Sequence, residues 1–291
     1  MNTVVIGNFD GVHTGHQALL AEAAKNQRLV VLTFWPHPVS VLRPGSEPQL
    51  LTDLDTRIDM LRQAGADEVR VVHFDERIAQ LSPQEFIERF VLPLAPDRVL
   101  VGENFRFGRQ AVGNVDTLRQ LGEDRFEVVG LSLAMLDDVV TCSTLIRKAL
   151  ADGDVALAAQ HLGRPFCCCG VVEMGDQRGR GLGFPTANLS VPPGLAMPAD
   201  GVYAGWVRHN GRDYPAAISV GTNPTFDGLD RRVESYVLDE TDLTWYGDRI
   251  HVGFVARLRG QLRFGAVAEL IEQMHFDVAA ARSALGIANN K

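Results

Sequence analysis

The sequence predicts an α/β first half built on an open parallel sheet, followed by a small closed antiparallel β-barrel and a final helix. In the first half, short apolar strands alternate with amphipathic helical segments, which is typical of a parallel sheet covered by helices. In the second half, short strands follow one another with frequent turn residues, which is typical of a small barrel. A chain of 291 residues is long enough for two such domains.

The strands predicted in the first half are short and rich in β-branched residues. Residues 29–34 are almost continuously apolar, which indicates a strand buried on both faces. The other predicted strands of this half are residues 3–6, 69–74, 98–101 and 126–131. Ligands of such sheets bind beyond the carboxyl ends of the strands, so we expect functional residues directly after strands.

Capping residues and apolar spacing mark the helices. Leu19, Leu20, Ala23 and Ala24 share one helical face after the first strand. Residues 52–64 are predicted to be helical, with Thr52 as a candidate N-cap. Residues 82–85 (S-P-Q-E) form a capping box with proline at the first helical position.

The predicted domain boundary follows a helix that Asp154 and Gly163 would cap. Arg164 and Pro165 then interrupt the helical pattern, so we place the boundary between residues 163 and 164. The strands predicted after it are residues 167–173, 201–209, 214–220, 233–239 and 250–258. Residues 209–212 contain an Asn-Gly hairpin signal, and residues 267–285 form an amphipathic helix.

Composition and charge narrow the class of protein. Hydrophobic residues make up 46% and charged residues 22% of the chain, which is ordinary for globular proteins. The net charge of −8 disfavours sequence-independent binding of nucleic acid, which carries negative charge itself. No apolar run approaches the roughly 20 residues of a membrane helix, and no secretory leader pattern is present. We therefore expect a soluble cytoplasmic protein that binds neither nucleic acid nor membrane, with Cys142 and residues 167–169 as reduced, non-metal cysteines.

Residues 7–16 (G-N-F-D-G-V-H-T-G-H) lie between the first strand and the first helix. A turn with several glycines at the start of a helix can bind an anion, because backbone N–H groups and the positive end of the helix dipole point toward it. His13 and His16 lie three residues apart and therefore share a helical face, where two imidazoles suit the oxygens of a triphosphate. A metal-binding pair is the alternative interpretation.

Three further stretches follow predicted strands or open a helix, namely residues 36–38 (P-H-P), 102–108 (G-E-N-F-R-F-G) and 141–147 (T-C-S-T-L-I-R). Hydroxyl and N–H groups at a helix start, with arginine one turn later, can hold phosphate oxygens. The alternatives are simple N-capping by Ser143 and Thr144, and a loop histidine held between two prolines for His37.

Residues 179–189 (G-R-G-L-G-F-P-T-A-N-L) match neither a Walker A loop nor a dinucleotide fingerprint. A glycine-rich lid followed by hydroxyl and amide oxygens would suit Mg-ATP. On an extended chain the side chains of Thr186 and Asn188 point to the same side. The alternative is a flexible loop with a chance Thr-x-Asn sequence.

Glu234 lies in an alternating strand, on the face opposite Val233, Ser235 and Val237. A carboxylate inside a small barrel would be costly unless it had a function, such as taking the proton from an attacking hydroxyl. The alternative is an outward, solvated glutamate on a half-exposed strand.

Residues 7–16 resemble the GxFDGxHxGH signature of the nucleotidyltransferase module of bacterial riboflavin kinase/FAD synthetases, and the three further stretches resemble the module's other motifs. The resemblance implies a Rossmann-like FMN adenylyltransferase domain over residues 1–163. It implies ATP binding by Phe9, His13, His16, Asn104, Ser143, Thr144 and Arg147. It implies flavin binding by Pro36, His37, Pro38, Phe105 and Phe107. Cys142 departs from the family's usual Ser-Ser-Thr, and a thiol is a poor hydrogen-bond donor.

Residues 182–188 resemble the flavokinase signature, and residues 201–204, 221–226, 233–239, 246–247 and 258–259 follow in the family's order. The resemblance implies a riboflavin kinase domain over residues 164–291. It implies ATP binding by Gly181, Gly183, Thr186 and Asn188, with Mg²⁺ held by Thr186 and Asn188. It also implies that Glu234 activates the 5′-hydroxyl of riboflavin. Tyr236 stands where the family usually has histidine.

The two resemblances together imply a bifunctional enzyme. One domain would phosphorylate riboflavin with ATP to give FMN, and the other would join FMN to AMP from a second ATP, giving FAD and pyrophosphate. One alternative is a monofunctional riboflavin kinase whose adenylyltransferase domain is impaired by Cys142. The other is a flavin- or nucleotide-binding protein without turnover.

Overall fold

A computed structural model describes residues 1–25, 28–132, 135–136, 139–174, 182–222, 231–240 and 243–288, with only the backbone at 135, 136, 139, 222 and 231. By its internal contacts the chain divides into two compact units, Met1–Ser143 and Thr144–Lys291. Among the helices of these ranges, none is long and apolar enough to cross a lipid bilayer.

The first unit is built on a five-stranded parallel sheet, as predicted. Its strands are β1 (Asn2–Ile6), β2 (Arg28–Trp35), β3 (Glu68–His73), β4 (Arg98–Gly102) and β5 (Glu127–Leu131). They lie in the order β3-β2-β1-β4-β5, and every neighbouring pair is parallel. The strand order reverses at β1, so the carboxyl ends of β1 and β4 flank the crevice where ligands of such sheets bind.

Helices cover both faces of this sheet. They are α1 (Thr14–Ala23), α2 (Pro38–Leu42), α3 (Leu54–Gln63), α4 (Glu76–Ala79), α5 (Pro83–Phe86) and α6 (Val115–Gly122), with a π-helical turn at Ile87–Val91 and 3-10 turns at Leu92–Leu94 and Arg109–Ala111. Val4 and Ile6 of β1 pack into one hydrophobic cluster and Val5 into the other. This alternation explains why the central strands are apolar throughout. A short antiparallel pair, β6 (Met135–Leu136) and β7 (Val139–Val140), follows the sheet.

The N-caps of this unit confirm one prediction and correct another. The capping box of α5 is formed as predicted, with Ser82 and Glu85 each accepting from the other's backbone N–H. The prediction of Thr52 as N-cap of α3 is wrong, because Asp53 occupies that position and accepts from the Thr56 N–H at 2.7 Å. Thr52 is instead buried, and its hydroxyl oxygen accepts from the Gly11 N–H at 3.3 Å.

Two helices precede the barrel, namely α7 (Ser143–Ala151) and α8 (Val155–Leu162). The predicted caps of α8 are confirmed. Asp154 accepts from the Leu157 N–H at 2.9 Å, and Gly163 ends the helix with a φ of 71°. Glycine adopts this left-handed conformation at the least cost in free energy.

The second unit contains the predicted closed antiparallel barrel. Its six strands are β8 (Phe166–Glu173), β9 (Thr186–Ser190), β10 (Gly201–His209), β11 (Arg212–Thr222), β12 (Arg231–Val237) and β13 (Arg249–Arg259). They close in the order β10-β11-β12-β9-β8-β13, with every neighbouring pair antiparallel. The Asn210-Gly211 hairpin is confirmed, with φ angles of 49° and 78° that fit a tight turn between twisted strands.

The C-terminal helix, Val267–Ala284, packs against β10, β11 and β13. Leu270, Ile271, Met274 and Val278, predicted to share one face, are all half-buried. Arg259 at the end of β13 donates to both carboxylate oxygens of Asp277, at 2.8 and 2.6 Å. Arg282 on the same helix pairs with Asp239. The bidentate pair of Arg259 and Asp277 fixes the helix in orientation as well as position.

Removing the Asp277 carboxylate leaves the largely buried Arg259 guanidinium without its bidentate partner. We expect Asp277→Ala to lower the free energy of unfolding of the second unit by about 1–3 kcal/mol. The exposed pair of Arg208 and Asp213 is the matched control, because Asp213→Ala should cost less than about 1 kcal/mol. Urea unfolding followed by tryptophan fluorescence in a Trp35→Phe background measures both, and equal losses would contradict the expectation.

Candidate active sites

The turn after β1 contains backbone angles that are unfavourable for most residues. Phe9 and Val12 have positive φ angles of 52° and 40°, which are uncommon for residues other than glycine, asparagine and aspartate. Gly11 has a φ of 83°. At Gly7, an added Cβ would lie 2.9 Å from the ring of Phe9, so this position needs glycine for close approach. Strain of this kind concentrates at functional sites.

His13 and His16 lie together at the start of α1, as their spacing predicts. His13 is the N-cap residue, and its Nδ1 accepts from the His16 N–H at 3.4 Å. The two imidazole rings stack with centroids 3.6 Å apart, and the ring of Phe9 meets His16 edge-on at 5.1 Å. In the described ranges no three histidine, cysteine, aspartate or glutamate side chains gather as a metal site would require, so the metal-pair alternative has no third protein ligand there.

The imidazole of His16 has a buried ring nitrogen without a hydrogen-bond partner among the described residues. Its Nδ1 is buried, and so is the Oδ1 of Asn8; neither atom has a hydrogen-bond partner among the described residues. Burial lowers the pKa of His16 well below its usual value, and the nearby His13 and Arg57 lower that pKa further. An unpaired buried polar atom costs free energy, which a ligand with hydrogen-bonding oxygens would recover.

The lowered pKa of His16 predicts how stability depends on pH. The unfolded chain binds the proton more readily, so the free energy of unfolding of the first unit should rise as pH increases toward the ordinary histidine pKa of about 6.5. His16→Gln should flatten this rise. Urea unfolding at several pH values, followed by the fluorescence of Trp35 in a variant with Trp206 and Trp245 changed to Phe, measures it. An unchanged slope in His16→Gln would contradict the assignment.

Ser143, from the late motif, reaches the first loop. Its hydroxyl donates to the backbone oxygen of Asp10 at 2.9 Å. Thr144 is exposed and Arg147 half-buried, both on α7. The structure therefore brings Ser143 to the loop that contains Phe9, His13 and His16, while the roles of these residues toward ATP stay predictions.

The predicted flavin residues follow β2 and β4. His37 is the N-cap of α2, where its Nδ1 accepts from the Val39 N–H at 3.2 Å, and Pro36 and Pro38 beside it are half-buried. Phe105 is half-buried and stacks on the ring of Phe107 with centroids 5.4 Å apart.

Phe107 itself is part of the hydrophobic core, where it packs on Phe86. Phe107 therefore supports Phe105 from the side of the hydrophobic core. Asn104, predicted to contact the nucleotide, is exposed in the same loop.

The candidate kinase site lies on the outer face of the barrel. In the pairing of β12 with β9, Glu234 lies opposite Asn188, and Tyr236 lies opposite Thr186. Side chains directly opposite in an antiparallel pair share a face. The intervening Ser235 is completely buried inside the barrel.

Glu234 thus faces away from the barrel interior, and the interpretation of a carboxylate inside the barrel is wrong. Glu234 is nevertheless only half-exposed, as are Thr186, Asn188 and Tyr236. The oxygen-bearing side chains of Thr186, Asn188 and Glu234 therefore share one half-buried surface. A candidate base and candidate ligands for a hard cation are thereby brought to one place.

The loop that enters β9 is anchored by Phe184. This buried ring meets Tyr236 edge-on at 5.2 Å and His275 of the C-terminal helix at 5.0 Å. Gly183 before it is exposed, with a φ of 87° that requires glycine. Gly181 lies outside the described residues.

Sequence reasoning missed the buried network beneath the first site. Asp10 accepts from the Leu51 and Thr52 N–H groups at 2.9 and 3.2 Å, and Arg57 contacts Asp10 at 3.5 Å. One signal was available. Arg57 lies one helical turn before the buried Leu61, so a charged residue occupied a position on the apolar face of α3.

Comparison with known proteins finds matches for both halves of the chain. The family model described as FAD synthetase matches residues 1–145, and the one described as riboflavin kinase matches residues 162–285. The chain is 34% identical to the bifunctional riboflavin kinase/FMN adenylyltransferase of Bacillus subtilis, covering 95% of this chain and 90% of that protein. It is 36% identical to the protein of the same name from Escherichia coli K12, covering 98% and 93%.

A solved structure from Streptococcus pneumoniae, titled a macrolide-efflux protein, superposes with a TM-score of 0.88 and 32% identity over 97% of this chain and 93% of that chain. The two family matches and the identity to whole bifunctional relatives cover both halves of the sequence. The chain belongs to the family of bifunctional riboflavin kinase/FMN adenylyltransferases.

Proposed function

We propose that the barrel of the second unit transfers the γ-phosphoryl group of ATP to riboflavin. The 5′-hydroxyl oxygen attacks the γ-phosphorus, the bond to the leaving ADP breaks, and the hydroxyl proton passes to the Glu234 carboxylate. This proposal rests on the register of β12 and β9, in which Glu234 lies beside Asn188 on the outer face. A half-sheltered carboxylate is suited to accept a proton from an alcohol held against it.

Mg²⁺ fits the donors of this surface, because it prefers oxygen ligands and keeps phosphate oxygens and waters in its shell. The hydroxyl of Thr186 and the amide oxygen of Asn188 would hold it. Bound there, the ion would supply neutralisation of phosphate charge. Gly181 and Gly183 would let the preceding loop lie close to ATP.

For the first unit we propose adenylyl transfer. A phosphate oxygen of FMN attacks the α-phosphorus of a second ATP, and pyrophosphate leaves. The stacked histidines at the start of α1, with the unpaired Nδ1 of His16, support this reaction. Charge stabilisation by prepositioned donors is the main catalytic requirement of such transfers.

Each predicted residue has a place in this proposal. The ATP phosphates and nucleotide are assigned to Phe9, His13, His16, Asn104, Ser143, Thr144 and Arg147. FMN is assigned to Pro36, His37, Pro38 and Phe105, while Phe107, predicted to bind the flavin as well, lies in the core and supports Phe105. The division of the two domains between residues 163 and 164 and a cytoplasmic location stay predictions.

The test is to incubate the purified protein with riboflavin, ATP and Mg²⁺ and to separate the flavins by chromatography over time. We expect FMN first and FAD later, with neither product when the cation is removed by EDTA. FMN without FAD would support the monofunctional alternative. Neither product from a folded protein would leave the binding-protein alternative.

Cys142→Ser separates the bifunctional from the monofunctional interpretation. Cys142 is a free, half-buried thiol, and the neighbouring Ser143 already supplies a hydroxyl to the first loop. We therefore expect the rate of FAD formation to change by less than about threefold. A gain of roughly a hundredfold would show that the thiol disables the natural enzyme.

A further inference from the structure

The side chain of Arg57 is completely buried beneath the first candidate site. Its Nη1 donates to the backbone oxygen of Asn8 at 3.0 Å and to that of Phe34 at 3.4 Å. Its Nη2 donates to the backbone oxygen of Thr52 at 3.4 Å. One guanidinium group therefore joins the loop after β1, the end of β2 and the segment that enters α3.

The segments joined by Arg57 carry the predicted ligands of both substrates. Asn8 lies in the loop that leads to His13 and His16. Phe34 directly precedes Trp35, whose ring lies 5.5 Å from the guanidinium carbon, and the flavin motif 36–38 follows. Arg57 thus joins the loop of residues 8–11 to the loop of residues 35–38, and the Thr33 hydroxyl, which donates to the same Asn8 oxygen at 3.1 Å, is a second link between β2 and the first loop.

The network also reaches the late motif. Arg57 contacts the Asp10 carboxylate at 3.5 Å, and the backbone oxygen of Asp10 accepts from the Ser143 hydroxyl at 2.9 Å. The Nε of Arg57 donates to the Thr52 hydroxyl at 3.4 Å, and that hydroxyl accepts from the Gly11 N–H. The backbone of residues 8–11 is therefore bound by Arg57 and Thr52 on one side and by Ser143 of the late motif on the other.

Packing alone does not explain a buried arginine here. Burying a charge costs free energy, and apolar side chains often stabilise such positions equally well. A planar guanidinium with five donors differs in that it fixes several acceptors at defined distances at once. Fixed distances matter most where two substrates must meet in line for a transfer reaction.

We propose that Arg57 is a positioning residue for adenylyl transfer, which holds residues 8–11 at a fixed distance from residues 35–38. It acts through these loops and touches neither substrate. The proposal rests on the adenylyl transfer proposed for the first unit.

Arg57→Lys is the informative variant, because lysine keeps the charge opposite Asp10 but lacks the planar fork. With FMN, ATP and Mg²⁺, we expect kcat for FAD formation to fall by about 10- to 100-fold, while both KM values change by less than about threefold. Phosphorylation of riboflavin by the same molecules should be unchanged. Arg62→Lys, at an exposed position of the same helix, is the matched control and should change neither activity.

A purely structural role would lower the folded fraction without altering the kcat of folded molecules. Thermal unfolding of each variant therefore accompanies the kinetics, and rates are expressed per folded molecule. If Arg57→Lys does not fold, Thr52→Val provides a second test, because it keeps Arg57 but removes the hydroxyl between Arg57 and Gly11. We expect this change to lower kcat in the same direction by about 3- to 10-fold.

The outcomes distinguish the two proposals. Wild-type protein that makes no FAD from FMN refutes adenylyl transfer itself. Wild-type FAD formation with an unchanged kcat in folded Arg57→Lys, or in Thr52→Val where Arg57→Lys does not fold, refutes the positioning role alone. A loss confined to KM also refutes it.

Discussion

Replacing Glu234 with glutamine is expected to lower the kcat of riboflavin phosphorylation by about 10²- to 10⁴-fold. Glutamine keeps the size and polarity of the side chain, but its amide cannot accept the proton of the 5′-hydroxyl. Binding of ATP should change little, because Thr186 and Asn188 are untouched. Steady-state assays with riboflavin and ATP, with FMN measured by chromatography, give the result.

Two controls make this test specific. Adenylylation of added FMN by the same Glu234→Gln protein should proceed at the wild-type rate, because the first unit is unchanged. Glu272→Gln, at an exposed position of the C-terminal helix, should leave both activities unchanged. Wild-type phosphorylation by folded Glu234→Gln would show that Glu234 is not the base.

His16→Gln should have the corresponding effect on the other reaction. Its imidazole stacks on His13 and presents a buried, unpaired Nδ1, so we assign it to a phosphate oxygen whose charge grows in the transition state. Removing one such prepositioned donor typically costs about 10²- to 10³-fold in kcat. FAD formation from FMN and ATP measures this loss.

His73→Gln, at an exposed position on β3, is the matched control for the histidine substitution and should leave FAD formation unchanged. Riboflavin phosphorylation should be unaffected in both variants. Equal, small effects of His16→Gln and His73→Gln on FAD formation would refute the role assigned to His16.

The parts of the fold that depend on local chemistry were predictable from the sequence. The run at 29–34 has an apolar residue or threonine at every position because β2 is covered on both faces. The Asn210-Gly211 pair predicts its hairpin because both residues tolerate positive φ. Asp154 and Gly163 mark the ends of α8 for equally local reasons.

Features set by distant parts of the chain were not predictable. Thr52 and Asp53 are both good capping residues, and the choice of Asp53 accompanies the recruitment of Thr52 by Gly11 and Arg57. The burial of Arg57 depends on backbone oxygens from three separate segments. The position of Arg57 on the apolar face of α3 indicates its burial, but the periodicity of α3 does not identify these acceptors.

The kinase site shows the same limit. Alternation along β12 separates Glu234 from Val233 and Ser235, but it does not indicate which face lies inside the barrel. That face is decided by how the six strands close, and the neighbour of Glu234 is decided by the register of β9. The Thr-x-Asn pattern and Glu234 were therefore identified separately from the sequence, and only the pairing of the strands brings them together.

We expect this single chain to perform two chemically different transfers from ATP. The most direct test supplies riboflavin and Mg²⁺ with ATP that is radiolabelled at either the γ- or the α-phosphorus, and then locates the label in the purified FAD. We expect γ-label in the phosphate of the FMN half and α-label in the phosphate of the AMP half. FAD that lacks either label, or no FAD from folded protein, would contradict this expectation.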